Sequence, residues 1–454
     1  MSAQAIRIEK IQDTQMSFGE VVGKLARVKI KTQEQKELRF IDLFAGLGGI
    51  RVGFQQACLE LNMKARCVLS SEIKPHAISV YQNNFDDKEI YGDITQIDES
   101  SIPDFDYLLA GFPCQAFSAA GKRKGFADIR GTLFFDIVRI LKAKKPQGFI
   151  LENVDGLVTH DDGKTLNTIL NELRMLGYKV SWNVLNASDF GVPQNRKRIY
   201  IVGHIENDIK LENFQTYKKN IQDIVDESVE CNKTEFVNTL LKFYTKEELA
   251  GKSIKDRRGG CNNIHSWDIG LKGQITQEQK DLMNILLKKR RMKHWAVKKE
   301  IVWMDGMPLT KDEISTFFRH KDLQEMLGDL TTKGYLRYEY PKNIFIESGV
   351  KVRKYDSTKE KGYNIVAGKL SFPLSTILAK SDVAPTIVAT EIGKIAVATQ
   401  NGIRNFTIRE GLRLFGYPEN YNINGISYEK AFDLLGNTVT PPVIKQIAQK
   451  LLSN

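Results

Sequence analysis

Short apolar runs alternate with amphipathic stretches along the first half of the chain. Runs of four to eight apolar residues between turn signals are typical of buried strands, and longer periodic stretches are typical of helices. Their alternation predicts an open α/β sheet with helices on its faces. The predicted strands cover residues 38–44, 67–71, 107–110, 148–151, 178–185 and 199–203, and the predicted helices cover residues 50–61, 132–143 and 166–176.

The alternation stops near residue 205, and a different pattern follows. Residues 205–383 lack the strand–helix rhythm and carry much of the basic charge. Within them, helical patterns at 309–314 and 323–330 precede a strand pattern at 334–340. This order is typical of a winged helix-turn-helix, although the same order suits any small α+β insert. Residues 1–37 are polar and lysine-rich, and they predict one or two short helices without evident chemistry.

The charge of the chain indicates a polyanionic partner. Its 454 residues include 66 lysines and arginines against 55 aspartates and glutamates, which gives a net charge of +11 and a pI near 9.1. Such a balance is typical of proteins that bind nucleic acid, although a basic surface that serves solubility fits it equally well. The hydrophobic share of 42% is ordinary for a globular protein, and the length predicts two domains.

The positions of cysteine and histidine argue against disulfides and metal sites. The five cysteines are scattered without a CxxC pair, and the six histidines show no spacing typical of metal ligands. No apolar run approaches the length of a membrane span, and the N-terminus lacks the apolar region of a signal peptide. We therefore expect a cytoplasmic protein in a reducing environment, without a bound metal.

One cysteine, Cys114, lies in a loop that favours catalysis. It follows the predicted strand at 107–110, within the stretch Gly-Phe-Pro-Cys-Gln-Ala-Phe-Ser at 111–118. Catalytic groups gather at the carboxyl ends of strands in open α/β sheets. A lone cysteine is more often a small buried hydrophobe, but polar residues follow this one and three basic residues come soon after, at 122–124. Positive neighbours lower the pKa of a thiol, so we interpret Cys114 as a nucleophile.

A glycine loop after the first strand predicts a cofactor site. The run Ala-Gly-Leu-Gly-Gly at 45–49 leads into a predicted helix, an order that lets backbone approach a ligand at the helix N-terminus. Glu72 ends the next strand, where a carboxylate can accept hydrogen bonds from both ribose hydroxyls of an adenosine cofactor. Asp93 follows as a partner for an adenine amino group. Arg51 replaces the third glycine of the dinucleotide fingerprint, which counts against NAD and an oxidoreductase.

Further polar groups adjoin two other predicted strands. Glu152 follows the strand at 148–151 in the same register as Cys114, and partial desolvation there shifts a carboxyl towards protonation. Arg196 and Arg198 occupy alternate positions on the edge that enters the strand at 199–203, so their side chains point to the same side. We interpret both arginines as contacts to an anion or a base, although a structural ion pair remains open.

Taken in order, these stretches resemble motifs of the cytosine-C5 DNA methyltransferases, in particular the bacterial modification enzymes. The nucleophile loop, Glu-Asn-Val at 152–154 and Gln-x-Arg-x-Arg at 194–198 carry the resemblance. It extends to Phe-Ala-Gly-Leu-Gly-Gly at 44–49 and to Gly-Phe-x-Asp-x-Arg-Gly-Thr-Leu-Phe at 125–134. Two C-terminal stretches, Arg-Glu-x-x-Arg-Leu-x-Gly-Tyr-Pro at 409–418 and Gly-Asn-Thr-Val at 436–439, complete it.

The resemblance implies a Rossmann-like methyltransferase domain that is built from both ends of the sequence. Residues 38–204 would form its first part and residues 384–454 its C-terminal part. A smaller target-recognition domain would occupy residues 205–383, and residues 1–37 would be an N-terminal extension. The implied cofactor is S-adenosyl-L-methionine, with S-adenosyl-L-homocysteine as its product. The implied cofactor-binding residues are Phe44, Ala45, Gly46, Gly48, Gly49, Glu72, Ile73, Asp93, Ile94, Pro113, Leu133, Asn437 and Thr438.

The resemblance also implies a covalent mechanism on a cytosine that is flipped out of the duplex. The Cys114 thiolate would attack C6 of the base, while Glu152 bonds N3 and the exocyclic amine. The methyl group then joins C5, and loss of the C5 proton and of Cys114 restores the aromatic ring. Arg198, with Gln194 and Arg196, would orient the base and the active-site loop.

Several residues in and before the middle region are predicted to bind DNA. The run at 288–299 contains seven lysines and arginines and no acid. Such a run is commonly a solvated helix face, but phosphate contact is the better interpretation in a protein that must hold DNA. The stretch at 257–263 mixes glycine with the guanidinium and amide donors that read base edges. The predicted contacts are Ser118, Arg257, Arg258, Asn262, Lys288, Arg290 and Arg291.

Two other functions stay open at this point. An RNA (tRNA) cytosine-C5 methyltransferase of the same fold is the closer one, although the large basic middle region favours DNA. The second is a catalytically silent, sequence-specific DNA-binding regulator, which would not require Cys114, Glu152 and Arg198. We expect a monomer that acts on double-stranded DNA near the nucleoid. A cognate restriction endonuclease would act on the same site, in a restriction-modification system, without direct contact.

Overall fold

The computed structural model describes most of the chain. The described residues are 37–85, 89–113, 133–231, 234–256, 262–302, 306–347, 349–366, 372–388 and 391–453. Four predicted site residues, Cys114, Ser118, Arg257 and Arg258, lie outside these ranges. The strands are β1 (Glu37–Leu43), β2 (Lys64–Ser71), β3 (Tyr107–Gly111), β4 (Gly148–Val154), β5 (Lys179–Asn186), β6 (Lys197–His204), β7 (Ser253–Ile254), β8 (Asn263–Ile264), β9 (Leu336–Glu339), β10 (Lys342–Glu347), β11 (Val350–Tyr355), β12 (Gly362–Ile365), β13 (Thr376–Leu378), β14 (Ile395–Thr399) and β15 (Gly402–Asn405). The α-helices are α1 (Gly49–Glu60), α2 (Pro75–Asn84), α3 (Leu133–Lys144), α4 (Lys164–Met175), α5 (Glu235–Phe243), α6 (Lys246–Leu249), α7 (Gln277–Lys289), α8 (Lys293–Lys298), α9 (Lys311–Ser315), α10 (Leu323–Thr332), α11 (Ile408–Phe415), α12 (Tyr428–Asn437) and α13 (Pro441–Leu452).

A six-stranded sheet forms the centre of the first half of the chain. Its strand order is β2-β1-β3-β4-β6-β5. Strands β1 to β4 run parallel to one another, whereas β6 runs antiparallel to both β4 and β5. The carboxyl ends of β1 to β4 therefore meet at one edge of the sheet, where ligands bind in folds of this type. This arrangement confirms the predicted α/β fold.

The predicted strands and helices match the observed ones to within a few residues at each end. Among the parallel strands, β4 ends three residues after its predicted end, at Val154, and β2 begins three residues early, at Lys64 rather than at residue 67. Its first residues alternate between exposed and half-buried positions because β2 is an edge strand of the sheet. An apolar run marks only the buried half of such a strand, so the sequence pattern missed its polar beginning.

Helices cover both faces of the sheet, and an apolar cluster fills the space on each side. On one face, α3 and α4 pack against the strands. On the other face, α1 packs together with α13 from the far end of the chain. The two helices approach closely at Gly53, where a Cβ would lie 2.4 Å from the carbonyl oxygen of Pro441. The C-terminal helix therefore completes the core that the first half begins.

The chain returns to this body after β6 before it forms a second sheet. Ile209 and Leu211 join the cluster of α1 and α13, and Ile221 and Ile224 join a cluster with α11 and α12. Strand β7 then pairs with β8 and with β13, a strand from much later in the sequence, in a sheet of order β15-β14-β13-β7-β8. Residues on both sides of the segment 265–366 thus share one sheet.

An inserted lobe, residues 265–366, has an apolar core of its own. Buried side chains from α7, α8, α9 and α10 pack in it against Trp267 and Tyr335. Helix α9 begins at Lys311, two residues after the start of the predicted helical pattern, because Thr310 and Glu313 form a capping box. The predicted helix at 323–330 corresponds to α10, and the predicted strand at 334–340 corresponds to β9.

Candidate active site

Glu152 lies at the carboxyl edge of the six-stranded sheet, beside the strand that leads towards Cys114. It pairs with Gly111 across the β3–β4 ladder. A carboxyl oxygen of Glu152 lies 3.5 Å from the position that a Cβ on Gly111 would occupy. Glu152 is only 8% exposed. The sheet therefore places the predicted acid next to Gly111, three residues before the predicted nucleophile.

Asn153 ties the ends of these two strands together and was not among the predicted site residues. Its side-chain N–H donates to the carbonyl oxygen of Phe112 at 3.1 Å, and the residue is 3% exposed. A buried amide requires a hydrogen-bond partner. Asn153 directly follows the predicted catalytic carboxylate in the sequence. This position was the signal from which its support of the loop before Cys114 could have been predicted.

Arg198 forms the ion pair of Glu152. Its Nε lies 3.2 Å from Oε1 of Glu152, and both side chains are largely buried. Burial raises the pKa of Glu152, while the positive charges of Arg198 and Arg196 oppose that rise. The direction agrees with the expected shift towards protonation. A carboxyl in this environment can hold a proton for a ligand while remaining paired with a fixed cation.

Arg196 is buried and bonds to backbone from the other end of the chain. Its Nη2 donates to the carbonyl oxygens of Gly436 at 3.0 Å and Thr438 at 2.9 Å, and its Nη1 donates to that of Ile387 at 3.2 Å. Burial, together with the nearby charge of Arg198, lowers the pKa of Arg196 to about 10. The prediction had Arg196 orienting a base, whereas these contacts make it a positioning residue that holds the C-terminal segment beside Glu152.

Gln194 also differs from its predicted role as a residue that orients the base. It is fully buried. Its Nε2 donates to the carbonyl oxygen of Leu414 at 3.1 Å, and its Oε1 accepts from the N–H of Ile387 at 3.2 Å. The amide therefore joins three separate segments of the chain. Its donor and acceptor are both used inside the protein.

Glu72 and the glycine loop lie at the same edge of the sheet as Glu152. Oε2 of Glu72 accepts a hydrogen bond from the N–H of Gly46 at 2.8 Å. Oε1 accepts from the N–H groups of Ile73 at 2.8 Å and Lys74 at 2.9 Å. Ala45 is buried, and its N–H donates to the carbonyl oxygen of Ser71 at 3.0 Å. These bonds fix the Glu72 carboxylate against the loop, as an acceptor at a strand end.

Gly48 and Gly49 serve the packing of the loop. Gly48 has a φ of 66°, and a Cβ there would lie 2.6 Å from the ring of Phe85. A Cβ on Gly49 would lie 2.3 Å from the carbonyl oxygen of Val439. Both positions were predicted to bind the cofactor directly. The structure shows a close protein neighbour on the Cβ side of each glycine, so both shape the loop by packing, and their contact with the cofactor stays a prediction.

Asp93 and Ile94 were predicted together as cofactor residues, and the structure separates them. The carboxylate of Asp93 is exposed, and its Oδ1 accepts from the N–H of Thr95 at 2.9 Å. This hydrogen bond holds the pKa of Asp93 below its ordinary value. Ile94 is 2% exposed and packs in the core under the sheet. Only Asp93 therefore presents its side chain to a ligand.

Four further predicted cofactor residues have side chains at or near the surface. Phe44 and Leu133 are partly buried against the same apolar cluster. Phe44 also has a φ of 56°, an uncommon conformation for a residue other than glycine. Ile73 is 69% exposed, and Pro113 is exposed as well. A large apolar side chain exposed at a strand end, such as Ile73, is available to contact a flat ring.

Asn437 and Thr438 lie next to Arg196 but have different exposures. Asn437 is exposed, and its side-chain N–H donates to the carbonyl oxygen of Asp433 at 2.7 Å. Thr438 is buried, and its hydroxyl is hydrogen-bonded to the hydroxyl of Tyr417. Asn437 therefore remains accessible to a ligand, whereas the side chain of Thr438 is used inside the protein.

The predicted DNA contacts within the described residues are not all on the surface. Asn262 and Lys288 are exposed, and Arg291 is half-buried. Arg290 is 8% exposed, and its guanidinium donates to the side-chain oxygen of Asn364 inside the inserted lobe. Arg290 was predicted as a phosphate contact, and the structure makes it a buried connector instead. Its place at the end of α7, facing the lobe interior, is the reason.

The described residues contain no group of three or more histidine, cysteine or acidic side chains arranged to hold a metal ion. Within the same residues, every helix is too short or too polar to cross a membrane. The candidate site is the carboxyl edge of the sheet, with Glu152 and Arg198 on one side and Glu72 and Asp93 on the other.

Comparisons with known proteins identify relatives over nearly the whole chain. Residues 38–453 match the family model of the C-5 cytosine-specific DNA methylases. The chain is 54% identical to the type II methyltransferase M.NlaIV of Neisseria lactamica over 424 residues, which is 92% of this chain and 99% of that protein. It is 42% identical to M.HgiCI of Herpetosiphon aurantiacus, over 92% of this chain and 98% of that protein. The solved structure of the Entamoeba histolytica methyltransferase EhMeth shares the fold, with a TM-score of 0.50 at 17% identity and coverage of 92% of this chain and 99% of that one.

Proposed function

Since the chain belongs to the C-5 cytosine-specific DNA methylase family, it is a DNA (cytosine-5-)-methyltransferase, and we propose that Cys114, Glu152 and Arg198 carry its chemistry. The family match and the type II relatives confirm the function that the motifs predicted. They do not favour the RNA-acting alternative or a silent DNA-binding regulator. The substrate is DNA, and the family uses S-adenosylmethionine as the methyl donor.

In the proposed mechanism, the Cys114 thiolate forms a bond to C6 of a flipped-out cytosine. Glu152 holds a proton at N3 and accepts from the exocyclic amine, which draws electron density out of the ring and favours the addition. The resulting enamine makes C5 nucleophilic. After C5 is methylated, loss of its proton and departure of the thiolate from C6 restore the aromatic ring. Arg198 keeps the carboxyl of Glu152 in position throughout.

The chemistry of the donor set at the β1–β3 edge fits S-adenosylmethionine. The Glu72 carboxylate, fixed against the loop, would accept from ribose hydroxyls, and the exposed Asp93 carboxylate would accept from the adenine amine. The exposed side chain of Ile73 would contact the adenine ring. When bound, S-adenosylmethionine supplies an electrophilic methyl group. Phe44, Leu133, Pro113 and Asn437 complete the proposed pocket.

The observation that carries this proposal is the position of Glu152. It is a buried carboxyl at the end of a parallel strand, paired with Arg198 and placed opposite Gly111, close in sequence to Cys114. A buried acid with a raised pKa and a fixed cation is an arrangement for proton exchange with a ligand.

We further propose that residues 205–383 provide most of the target recognition, with Asn262 and Lys288 among the DNA contacts. Both are exposed, as contacts to a duplex require. Ser118, Arg257, Arg258 and Arg291 remain proposed contacts on the basis of the sequence. The names of the relatives support a place in a restriction-modification system in the bacterial cytoplasm. An endonuclease would then share the DNA site, and the methyltransferase would act as a monomer.

The assignment of Cys114 is tested by methyl transfer from S-adenosylmethionine that carries a labelled methyl group. Duplex DNA and tRNA are supplied together, recovered, digested to nucleosides and examined for 5-methylcytosine. We expect label on deoxycytidine with the wild type and a loss of more than about a thousandfold with Cys114→Ala. Equilibrium dialysis should show cofactor binding unchanged, because the variant removes only the nucleophile.

Cys231→Ser is the matched control, because it removes the thiol of another free cysteine, one that is hydrogen-bonded to the hydroxyl of Thr399. It should retain full activity. Turnover retained by Cys114→Ala would exclude Cys114 as the nucleophile. Label confined to tRNA would contradict the DNA substrate.

A further inference from the structure

The inserted lobe has the topology of a winged-helix module. Leu309 forms an antiparallel bridge with Tyr363 of β12, and β12 pairs antiparallel with β9 on its other side. The order along the chain is helix α7, the six-residue helix α8, the Leu309 strand position, helices α9 and α10, strand β9, the β10–β11 hairpin and strand β12. A helix, a strand, two helices and then two strands joined by a projecting hairpin are the parts of a winged helix.

The β10–β11 hairpin occupies the place of the wing. Its register pairs Lys342 with Tyr355, Ile344 with Arg353 and Ile346 with Lys351. Since alternate residues of a strand point to the same side, these side chains share one face. We call it the ribbon face. Its six residues are Lys342, Ile344, Ile346, Lys351, Arg353 and Tyr355.

The ribbon face is exposed and carries three cations. All six of its side chains lie at the surface, and Ile346 is 74% exposed. The Lys342 ammonium lies over the ring of Tyr355, 4.7 Å from its centroid. The Tyr355 hydroxyl donates to Glu339 at 2.9 Å, at the base of the hairpin. The outer part of the face thus combines Lys351 and Arg353 with two isoleucines.

The opposite face of the hairpin is used by the protein itself. Lys354 pairs with Glu347 at 2.6 Å across the two strands. Asn343 donates to Asp356 at 3.1 Å and accepts from the N–H of Val302 at 3.4 Å, which anchors the hairpin to the rest of the lobe. Charge on this face is therefore balanced within the hairpin, whereas the cations of the ribbon face have no such acid across the ladder.

Helix α10 occupies the position of the recognition helix but has a poor surface for DNA. Its exposed positions include Gln324, Glu325 and Thr332. Asp329, on the next turn, pairs with Lys333 at 2.7 Å. An acidic helix face is repelled by phosphate, so the wing offers DNA a more favourable charge than α10 does.

We propose that the ribbon face binds duplex DNA in a groove, with Lys351 and Arg353 on phosphates and Ile344 and Ile346 against the groove wall. A two-stranded ribbon fits the major groove, and the cationic, partly apolar face complements a polyanion with apolar sugar and base surfaces. The proposal rests on the established DNA substrate and adds a second binding surface, separate from the catalytic edge. Contacts of this kind supply affinity without taking part in methyl transfer.

The test compares Lys351→Gln/Arg353→Gln with the wild type in DNA binding and in steady-state methylation. We expect the Kd and the KM for duplex DNA to rise about tenfold, from the loss of two charge-assisted contacts. The slope of log K against log salt should fall by about two, one for each lost phosphate contact. The kcat at saturating DNA should stay unchanged. Lys351→Glu/Arg353→Glu should enlarge the effect on Kd in the same direction.

Lys354→Gln is the matched control, because it removes a lysine from the same hairpin on the opposite face. It should leave Kd, KM and the salt slope at their wild-type values. A double variant that binds DNA with unchanged Kd and salt slope overturns the proposal. So does a loss of kcat at unchanged Kd, which would assign the hairpin to the catalytic machinery. Failure of the mechanism itself would be seen separately, as turnover retained by Cys114→Ala.

Discussion

Two basic stretches of this protein look alike in sequence and differ in structure. The run at 194–198 and the run at 288–299 both suggest contacts to DNA. In the first, Arg196 is buried on three backbone carbonyls and Arg198 pairs with Glu152. In the second, Lys288 is exposed while Arg290, two residues later, is buried on Asn364. Residue type alone therefore does not reveal whether a cation binds DNA or holds the protein together.

What separates the two stretches is the kind of partner that lies nearby. A buried arginine requires carbonyl or carboxylate oxygens that accept hydrogen bonds from its guanidinium. The first stretch has them because segments at 387 and 436–438 converge on it. In the second stretch, Arg290 finds Asn364 and Lys299 finds Glu313 inside the lobe, whereas Lys288 stays exposed. The consequences of removing each charge should differ accordingly.

The largest effect is expected at Arg196. Arg196→Met removes the three hydrogen bonds to backbone carbonyls and leaves those buried acceptors without a partner. We expect a loss of about 3–5 kcal/mol in the free energy of unfolding and a fall in kcat, because the segment at 436–438 is released from the catalytic edge. Chemical denaturation and single-turnover methylation measure the two effects.

Arg196→Lys is the matched variant for this position. It keeps the positive charge near Glu152 but cannot reach several carbonyls at once. It should therefore recover only part of the lost stability. If Arg196→Met unfolds at the wild-type denaturant concentration, the contacts with Ile387, Gly436 and Thr438 do not hold the segment, and the positioning role of Arg196 is wrong.

A smaller effect distinguishes two neighbours in the second stretch. Arg290→Gln removes a buried, charge-assisted hydrogen bond to Asn364, and we expect it to cost about 2 kcal/mol of unfolding free energy. Lys288→Gln changes an exposed side chain and should leave the unfolding midpoint unchanged. The salt slope of DNA binding should instead fall by about one for Lys288→Gln, as for a lost phosphate contact.

Arg290→Gln is thus expected to lower stability, whereas Lys288→Gln is expected to weaken DNA binding. Denaturation and the salt dependence of Kd, measured on both proteins, are sufficient to see this. Equal salt slopes for Lys288→Gln and the wild type would remove Lys288 from the DNA interface. A stable Arg290→Gln protein with weakened DNA binding would return Arg290 to it.

The sequence predicted the catalytic half of the fold well because the same local pattern recurs there, a buried strand followed by a loop that carries a site residue. Each apolar run ends at the sheet edge, and the polar residue that follows it, such as Glu72 or Glu152, lies at that edge. Asp93 and Ile73 are exposed near it for the same reason. These inferences needed only the alternation of strand and helix and the order of the motifs.

The sequence failed where a residue's partner comes from far along the chain. Gln194 bonds to Leu414, and Gly49 lies against Val439, contacts that no local pattern contains. The sequence therefore did not predict these packing contacts. In the inserted lobe, the winged-helix order was visible in the sequence, but the face of the hairpin that carries Lys351 and Arg353 follows from the strand register.

The smallest expected effect is a pH dependence of stability at Glu152, the acid that the first stretch surrounds. Burial raises the pKa of Glu152 above its ordinary value of 4.5, so the folded protein binds this proton more tightly than the unfolded chain does. Below its ordinary pKa, Glu152 is protonated in both states and does not reduce the free energy of unfolding. As the pH rises from the ordinary pKa through the raised pKa of the folded state, Glu152 reduces that free energy increasingly. Glu152→Gln has no such proton. The unfolding free energy of the wild type minus that of Glu152→Gln should accordingly fall with rising pH, by about 1.4 kcal/mol for each tenfold difference in proton affinity between the folded and unfolded states.

This prediction sharpens the contrast between buried and exposed charge. Arg198 and Arg196 favour the ionised carboxylate of Glu152, so they limit the decrease in unfolding free energy with rising pH. Arg196→Met should make this decrease steeper than in the wild type. Denaturation at a series of pH values from about 4 to 8, a range that brackets ordinary and raised carboxyl pKa values, measures all three. A difference between wild type and Glu152→Gln that rises with pH would mean that the two arginines outweigh burial, and that Glu152 meets the cytosine as a carboxylate.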